Sequence, residues 1–385
     1  MQFIITYDKI NITIKKEKIM LPNIDKIVEL AADKNASDIH IVCGLPLKCR
    51  IDGKIVNLFD DVLDAEQCEA FAREILGSRF EKVSKMGEID LGVTFPCGVR
   101  TRGNVYRQGG NISIALRIFA SRIPQIDELG LPECVHNIPK LKNGIVLVTG
   151  ETGSGKSTTL ASIIDVINHT QNGHVITLED PIEYLIESDK CIISQREIGF
   201  DTENYSSGLR SILREDPDVI MIGEMRDLET IDAALIAAET GHLVLATLHT
   251  NSAADTLDRI VSVFPEATQA QIRMQLSNTL CYVLTQKLLP KKNGKGRALA
   301  CEAMVVNNAI RNLIREGKTH QIDTFLTLSQ QDGSVSMDTA LSELVNNDVV
   351  SFEIAEQYAK NKENFKAACA PKPQQPEKSS FFGRR

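Results

Sequence analysis

Apolar residues recur along this chain in two rhythms. Through the middle, short continuous apolar runs alternate with stretches of helical spacing. Gly144-Ile145-Val146-Leu147-Val148-Thr149 is one such run, the pattern of a strand buried on both faces. Similar runs lie at 174–178, 218–222 and 243–248. Residues 158–167, after the first run, carry their apolar positions at helical spacing. Strands alternating with helices from about 141 to 290 predict a doubly wound, mostly parallel sheet, hence an α/β fold.

The first third of the chain reads differently. Ile10, Ile12 and Ile14 alternate with polar residues as a weak strand does, and the charged run Lys15, Lys16, Glu17, Lys18 follows. From Leu21, the positions Ile24, Ile27, Val28, Leu30 and Ala31 predict a helix. Residues 38–42 read as a strand, 49–56 as a hairpin and 65–76 as a helix. Short strands and Gly turns continue to about Phe119. This predicts a small α+β domain over 21–122, after an extension at 1–20. Residues 123–140 contain Pro124, Pro132 and Pro139 and read as a linker. The parallel domain is expected over 141–300. A C-terminal region follows at 301–365, its helical segments running from about 307 to 362. The tail from 366 to 385, with Pro371, Pro373 and Pro376, reads as disordered. No internal repeat is evident.

The chain has 385 residues, enough for two or three domains. Its composition is that of an ordinary globular protein, and no apolar stretch approaches the length needed to cross a bilayer. The N-terminus lacks a basic start followed by an apolar run, so no secretory signal is expected and the chain is placed in the cytoplasm. The nine cysteines are scattered without C-x-x-C spacing, which argues against a disulfide framework and a zinc site. Most are expected to be small buried hydrophobes. The seven histidines are unclustered. A net charge of −8 disfavours a broad nucleic-acid footprint.

Chemistry enters between the first predicted strand and helix. Gly150-Glu151-Thr152-Gly153-Ser154-Gly155-Lys156-Ser157 fits G-x-x-x-x-G-K-[ST], a phosphate-binding loop, in the required strand–loop–helix order. Its backbone N–H groups and the following helix N-terminus attract an anion. Lys156 can reach β- and γ-phosphates, and the Ser157 hydroxyl can ligate Mg²⁺. Nucleotide binding follows.

Ligands of parallel sheets bind beyond the strands' carboxyl ends, so the polar residues there are the next candidates. Glu179 and Asp180 end the second strand, as Mg²⁺-associated carboxylates or as a solvated acidic turn begun by Pro181. Gly223-Glu224 ends the third, in the shape of a Walker B segment with Gly223 where many such enzymes place an Asp. Glu224 is read as the general base for the attacking water; the bland alternative is that it caps a helix starting near Leu228. His249 ends the fourth strand, where it could sense the γ-phosphate, while His242 at the opposite end reads as structural. Arg100, Arg102, Arg107 and Arg117 lie on strand-like segments of the first domain. Alternation puts Arg100 and Arg102 on one face, either a solvated face or one that closes over a nucleotide. Arg210 and Arg214, spaced i, i+4, are candidates for a subunit contact.

These segments together resemble one family. The phosphate-binding loop is followed by Ile176-Thr177-Leu178-Glu179-Asp180-Pro181-Ile182-Glu183-Tyr184. Then come Leu213-Arg214-Glu215-Asp216-Pro217-Asp218 through Gly223-Glu224-Met225-Arg226-Asp227, and Thr240-Gly241-His242 through Thr247-Leu248-His249-Thr250. The order is similar to that of the secretion-superfamily ATPases, the motors of type II secretion, type IV pili and VirB11-like systems, in which these segments are the Walker A, Asp, Walker B and His boxes. Ala309-Ile310-Arg311-Asn312-Leu313-Ile314-Arg315-Glu316 resembles the C-terminal helix motif of the pilus-retraction branch. Ser37-Asp38-Ile39-His40 resembles the start of its N-terminal domain. The resemblance covers about residues 22–362.

The resemblance implies a RecA-like P-loop NTPase core, an N-terminal PAS-like α+β domain and C-terminal helices. It implies a homohexameric ATPase motor, using ATP and Mg²⁺, peripheral to the inner face of the cytoplasmic membrane. That motor turns an inner-membrane, PilC-like pilus platform protein to drive retraction and twitching motility; a PilU-like paralogue is a further partner, and nucleic acid is not. Lys156, Glu179, Glu224 and His249 become the catalytic set. Gly150, Glu151, Thr152, Gly153, Ser154, Gly155, Lys156, Ser157 and Thr158 hold the nucleotide, with Arg102 and Arg117, and Arg100 as a further candidate, from the N-terminal domain. Mg²⁺ sits on Ser157, with Glu179 acting through water. Ile310, Leu313 and Ile314 form an apolar stripe flanked by Arg311 and Arg315; it packs the core on its face value, and the resemblance adds a role in coupling hydrolysis to retraction. The first 20 residues and about the last 20 extend beyond the family pattern. Assembly and secretion motors usually carry a four-cysteine zinc insert that this sequence lacks, which favours retraction. Pilus extension or type II secretion, a non-catalytic accessory ring and a nucleic-acid motor are the competing readings.

Overall fold

The computed structural model describes residues 22–51, 53–119, 122–328 and 332–369. The strand signal at Ile10–Ile14 and the tail beyond 369 lie outside them. The chain divides into two compact units, residues 1–121 and 122–385.

The first unit is α+β. Its elements are α1 (Ile24–Asp33), β1 (Asp38–Val42), β2 (Pro46–Ile51), β3 (Lys54–Val62), α2 (Ala65–Leu76), α3 (Phe80–Met86), β4 (Glu88–Thr94), β5 (Arg100–Gln108) and β6 (Asn111–Ile118). The strands form an antiparallel sheet in the order β3-β2-β1-β6-β5-β4. The predicted hairpin is the β2–β3 pair, closed at Ile51 opposite Lys54. The two predicted helices start where side chains cap them. Asn23 accepts from the Lys26 N–H, and Asp64 and Gln67 form a reciprocal capping box. Helix α1 buries Ile24, Ile27, Val28 and Ala31, the stripe its periodicity predicts. Strand alternation then leaves one sheet face polar. One row across that face reads Arg102, Arg117, Asp38, Arg50 on β5, β6, β1 and β2.

The second unit carries the parallel sheet. Its elements are β7 (Gly144–Thr149), α4 (Lys156–Thr170), β8 (His174–Glu179), β9 (Ile192–Glu197), α5 (Tyr205–Ile212), β10 (Val219–Ile222), α6 (Leu228–Glu239), β11 (Leu243–Leu248), α7 (Ala253–Ser262), α8 (Gln269–Thr279), β12 (Leu280–Pro290), β13 (Arg297–Val305), α9 (Asn308–Arg315), α10 (Ile322–Leu328), α11 (Met337–Asn346), α12 (Phe352–Glu356) and α13 (Lys362–Cys369). The sheet order is β13-β12-β7-β11-β10-β8-β9, parallel except for β13. All four predicted strands are present, and each central strand is buried on both faces. Alternate residues feed two cores. Leu147, Leu178 and Ile222 pack with α5 to α8, whereas Val146 and Val148 pack with α4.

Three sequence expectations need correction. The sheet does not end near 300, because β13 runs to Val305 and pairs with β12 along its whole length. Strand β12 itself escapes an apolar-run reading because it buries Thr285 and Gln286. These bond Thr149 Oγ1 at 3.0 Å and Thr159 Oγ1 at 2.6 Å across the sheet and to α4. Residues 123–140 are not a loose linker. They form 3₁₀ turns whose Ile126, Val135 and Ile138 are buried in the core that contains α4. The Ser162 hydroxyl also donates to the Pro124 carbonyl at 2.6 Å. Finally, residues 366–369 are helical rather than tail. Phe365 in α13 is fully buried and stacks on Phe352 at 5.4 Å, and Lys366 pairs with Glu356 at 2.9 Å.

Candidate active site

The carboxyl ends of β7, β8, β10 and β11 line one edge of the sheet, and each delivers a candidate residue. Strand β7 ends at Thr149, the loop occupies 150–155, and α4 begins at Lys156. Two glycines are dictated by geometry. Gly150 has φ +137°, and a Cβ there would sit 2.4 Å from the Gln286 carbonyl and 2.7 Å from Ser154 Oγ. Gly155, at the α4 N-cap, is left-handed at φ +93°. A glycine cap brings no side-chain acceptor, so the first-turn N–H groups of α4 stay open to an external anion.

The loop's polar atoms suit that anion. Ser154 Oγ is buried without a hydrogen-bond partner. Lys156 is buried too, its ammonium donating to the Gly150 and Glu151 carbonyls at 2.8 and 3.0 Å. Burial lowers its pKa below the usual lysine value, against the opposing charges of Glu224 and Glu183. Ser157 follows, half-buried in the first turn of α4. The Thr158 hydroxyl bonds Tyr184 Oη at 3.0 Å.

Three of the predicted residues converge. His249 lies between Lys156 and Glu224, with Nδ1 3.5 Å from Lys156 Nζ and Nε2 3.3 Å from Glu224 Oε1. A neutral imidazole with its hydrogen on Nε2 satisfies both neighbours, since the ammonium can only donate and the carboxylate only accept. Glu224 also accepts from Arg226 Nε at 2.6 Å. Burial pushes its carboxyl up. The Arg226 hydrogen bond and charge, with the His249 hydrogen bond, outweigh that and hold it below the usual carboxylate value.

The backbone fixes Glu224 from both sides. The Gly223 N–H donates to the Leu178 carbonyl at 2.8 Å, and the Met225 N–H to the Thr247 carbonyl at 3.0 Å. Thr247 Oγ1 donates to the Gly223 carbonyl. An Asp in place of Gly223 would be crowded: a Cβ would lie 3.0 Å from the Leu178 carbonyl and 3.1 Å from Tyr205 Oη, so these neighbours would have to give way. The capping alternative for Glu224 fails, because Asp227 caps α6 by accepting from the Thr230 N–H at 2.8 Å.

Glu179 is set apart from this cluster. Its carboxylate accepts from Thr177 Oγ1 at 2.7 Å and Gln195 Nε2 at 3.1 Å. Burial pushes its pKa up to about 7. Two glutamates at neighbouring strand ends are thus driven in opposite directions, Glu224 towards the ionised form and Glu179 towards the neutral one. Asp180 is exposed, ahead of a cis peptide to Pro181. His242 is held structurally, with Nδ1 2.9 Å from the Ala237 carbonyl.

The arginines of the first unit keep their predicted arrangement. Arg102 stands opposite Arg117 across β5 and β6, and Arg100 shares their face. Arg117 Nε pairs with Asp38 Oδ1 at 3.1 Å, and Arg50 approaches the same carboxylate at 3.7 Å. Arg107 falls on the other face by alternation. In the second unit, Arg210 pairs with Glu229 at 3.6 Å. In the C-terminal motif, α9 buries Ile310 and Ile314. Arg311 donates to the Ser277 carbonyl and, at 2.9 Å, to that of Asn278, while Arg315 Nε reaches Ser277 Oγ at 3.1 Å. The flanking arginines thus satisfy the carboxyl end of α8.

Sequence reasoning missed Arg226 as the partner of Glu224. Its only signal was position, two residues beyond the candidate base. Among the described residues no helix is long and apolar enough to cross a membrane.

Comparison with known proteins places this geometry. The type II/IV secretion system protein family matches residues 13–370. The type IV pilus retractation ATPase PilT of Pseudomonas aeruginosa is 43% identical, with the alignment covering 89% of this chain and 100% of that protein. A twitching motility protein of Neisseria gonorrhoeae is 42% identical over 84% of this chain and 86% of its own length. A crystal structure of the pilus retraction motor PilT with bound ADP superposes with a TM-score of 0.85 at 42% identity, covering 90% of this chain and 100% of that one.

Proposed function

The chain belongs to the type II/IV secretion system protein family, and on that premise we propose that it is an ATPase motor driving type IV pilus retraction. The observation that carries this reading is the line Lys156–His249–Glu224 beside an open phosphate-binding loop. ATP is the substrate. Its phosphates take the N–H groups at 150–157, and Lys156 shifts from the loop carbonyls onto the β- and γ-phosphates, exchanging two neutral acceptors for charged ones.

Glu224 orients and deprotonates the attacking water. Its depressed pKa keeps it ionised at neutral pH. His249 sits within reach of both the ammonium and the base, where it registers whether the terminal phosphate is present. Mg²⁺, when bound, neutralises charge on the phosphates; the Ser157 hydroxyl would hold it. Glu179, neutral or ionised near pH 7, stands at the next strand end and would act only through water. Arg102 and Arg117 present a cationic row on the first unit's sheet, with Asp38 setting the direction of Arg117.

The working form is a homohexamer, peripheral to the inner face of the cytoplasmic membrane, acting on an inner-membrane pilus platform protein. Imaging pili in a Lys156→Ala strain tests this. Retraction should cease and cells should remain piliated without twitching. Bald cells would instead indicate an assembly motor, and normal retraction would refute the reading.

A further inference from the structure

His249 follows β11 directly, and α7 begins four residues later at Ala253. The Ala253 N–H donates to Glu302 Oε1 at 2.8 Å. Glu302 lies in β13 with 1% exposure, flanked by Ala300, Cys301, Ala303 and Met304, all buried. Its second oxygen accepts from Lys360 Nζ at 2.9 Å, which comes from the turn between α12 and α13. Lys360 also reaches Asp323 of α10 at 2.8 Å. Asp338 of α11 accepts the N–H groups of Lys360 and Asn361 at 2.7 and 2.8 Å. Burial lowers the Lys360 pKa, but Glu302 and Asp323 outweigh it and raise it overall. A cleft of about 580 Å³ borders the junction and leaves the Lys360 side chain 33% exposed.

A buried carboxylate is costly unless paired, and apolar residues in place of both members of a buried pair are often as stable. What the charge provides is a fixed acceptor at the start of α7, complemented by that helix's positive end. The turn between His249 and Ala253 is thereby tied to the C-terminal helices. His249 needs that constraint. Its contacts to Lys156 and Glu224, at 3.5 and 3.3 Å, lie at the outer limit of hydrogen bonding.

We propose that Glu302 and Lys360 are positioning residues for His249, through which the C-terminal helices set the rate of ATP hydrolysis. This rests on the ATPase reading above. The side-chain hydrogen bonds of Glu302 and Lys360 go to Ala253, Asp323 and each other rather than to the phosphate-binding loop, so nucleotide affinity and turnover should separate.

The full-length chain tests it. Lys360→Met should lower kcat about tenfold while ADP affinity by calorimetry stays within about twofold, and Lys360→Arg should retain most of the rate. Met leaves Glu302 buried and unpaired, so the double variant Glu302→Gln with Lys360→Met, which removes both charges, guards against simple misfolding and should keep the lowered kcat. In a His249→Ala background, Lys360→Met should cost nothing further if it acts through His249. Additive losses in that background, a wild-type rate in the double variant, or ADP affinity falling in step with kcat would each overturn the proposal. An absence of turnover in the unmodified chain would overturn the ATPase reading with it, whereas normal turnover unaffected by all these variants would overturn the positioning role alone.

Discussion

Glu179→Gln isolates a buried charge whose cost the structure makes calculable. The glutamate is 7% exposed, and burial moves its pKa from 4.5 to about 7. The folded state therefore holds the proton more tightly than the unfolded chain. The stabilisation that follows is fully present below about pH 4.5 and is lost as pH rises through about 7. At ~1.4 kcal/mol for each tenfold change in proton affinity, the displacement is worth about 3 kcal/mol. Gln keeps an acceptor for Thr177 and Gln195 and never ionises. Urea denaturation at pH 5 and pH 8, for both proteins without nucleotide, measures the difference. Far-UV circular dichroism is the appropriate signal because the chain has no Trp. Taking the two profiles as a difference cancels the other titrating groups. The advantage of the Gln variant should grow by roughly 2–3 kcal/mol between pH 5 and pH 8. A difference that does not change with pH would refute the assignment of a raised pKa to Glu179.

Further outcomes follow from the same structure. Gly223→Asp, which restores the acid common in related Walker B segments, should destabilise the protein by about 1–3 kcal/mol and lower turnover, because its Cβ meets the Leu178 carbonyl and Tyr205 Oη; thermal melting and an ATPase assay check both. Gly150→Ala should abolish measurable ADP binding in calorimetry, since neither its φ of +137° nor the Gln286 carbonyl at 2.4 Å tolerates a methyl group. Arg311→Ala should cost about 1–2 kcal/mol in a melting experiment by freeing two carbonyls at the end of α8, and ADP affinity should stay unchanged. If α9 couples hydrolysis to retraction, Leu313 or Arg315 variants should hydrolyse ATP yet fail to retract pili.

The parts of the site that depend on local order were legible in the sequence. Strand, glycine loop and helix are consecutive, so Lys156 and Ser157 could be placed without knowing the fold. Once the sheet was taken as parallel, Glu224 and His249 followed as strand-end residues. What remained hidden depends on contacts between distant segments. Thr285 and Gln286 break the apolar pattern of β12 because the Thr285 hydroxyl pairs with that of Thr149 and the Gln286 amide nitrogen donates to Thr159. The prolines at 124, 132 and 139 suggest a connector, although Ile126, Val135 and Ile138 between them pack into the α4 core. Glu302 carries no local signal in the sequence, because its burial comes from β13 pairing with β12 and its role from the Ala253 N–H it accepts. The role of Gly223 was equally invisible, since it is the neighbouring Leu178 and Tyr205 that crowd a side chain there.

The central claim is that Glu224 activates water for hydrolysis of a nucleotide held by the 150–157 loop. Steady-state ATP turnover of the unmodified chain and of Glu224→Gln, with ATP affinity measured on the same preparations, tests it most directly. The account predicts turnover by the unmodified chain, a loss of about 100-fold or more in the variant, and ATP binding preserved within a few-fold. Equal turnover by the two proteins would contradict it.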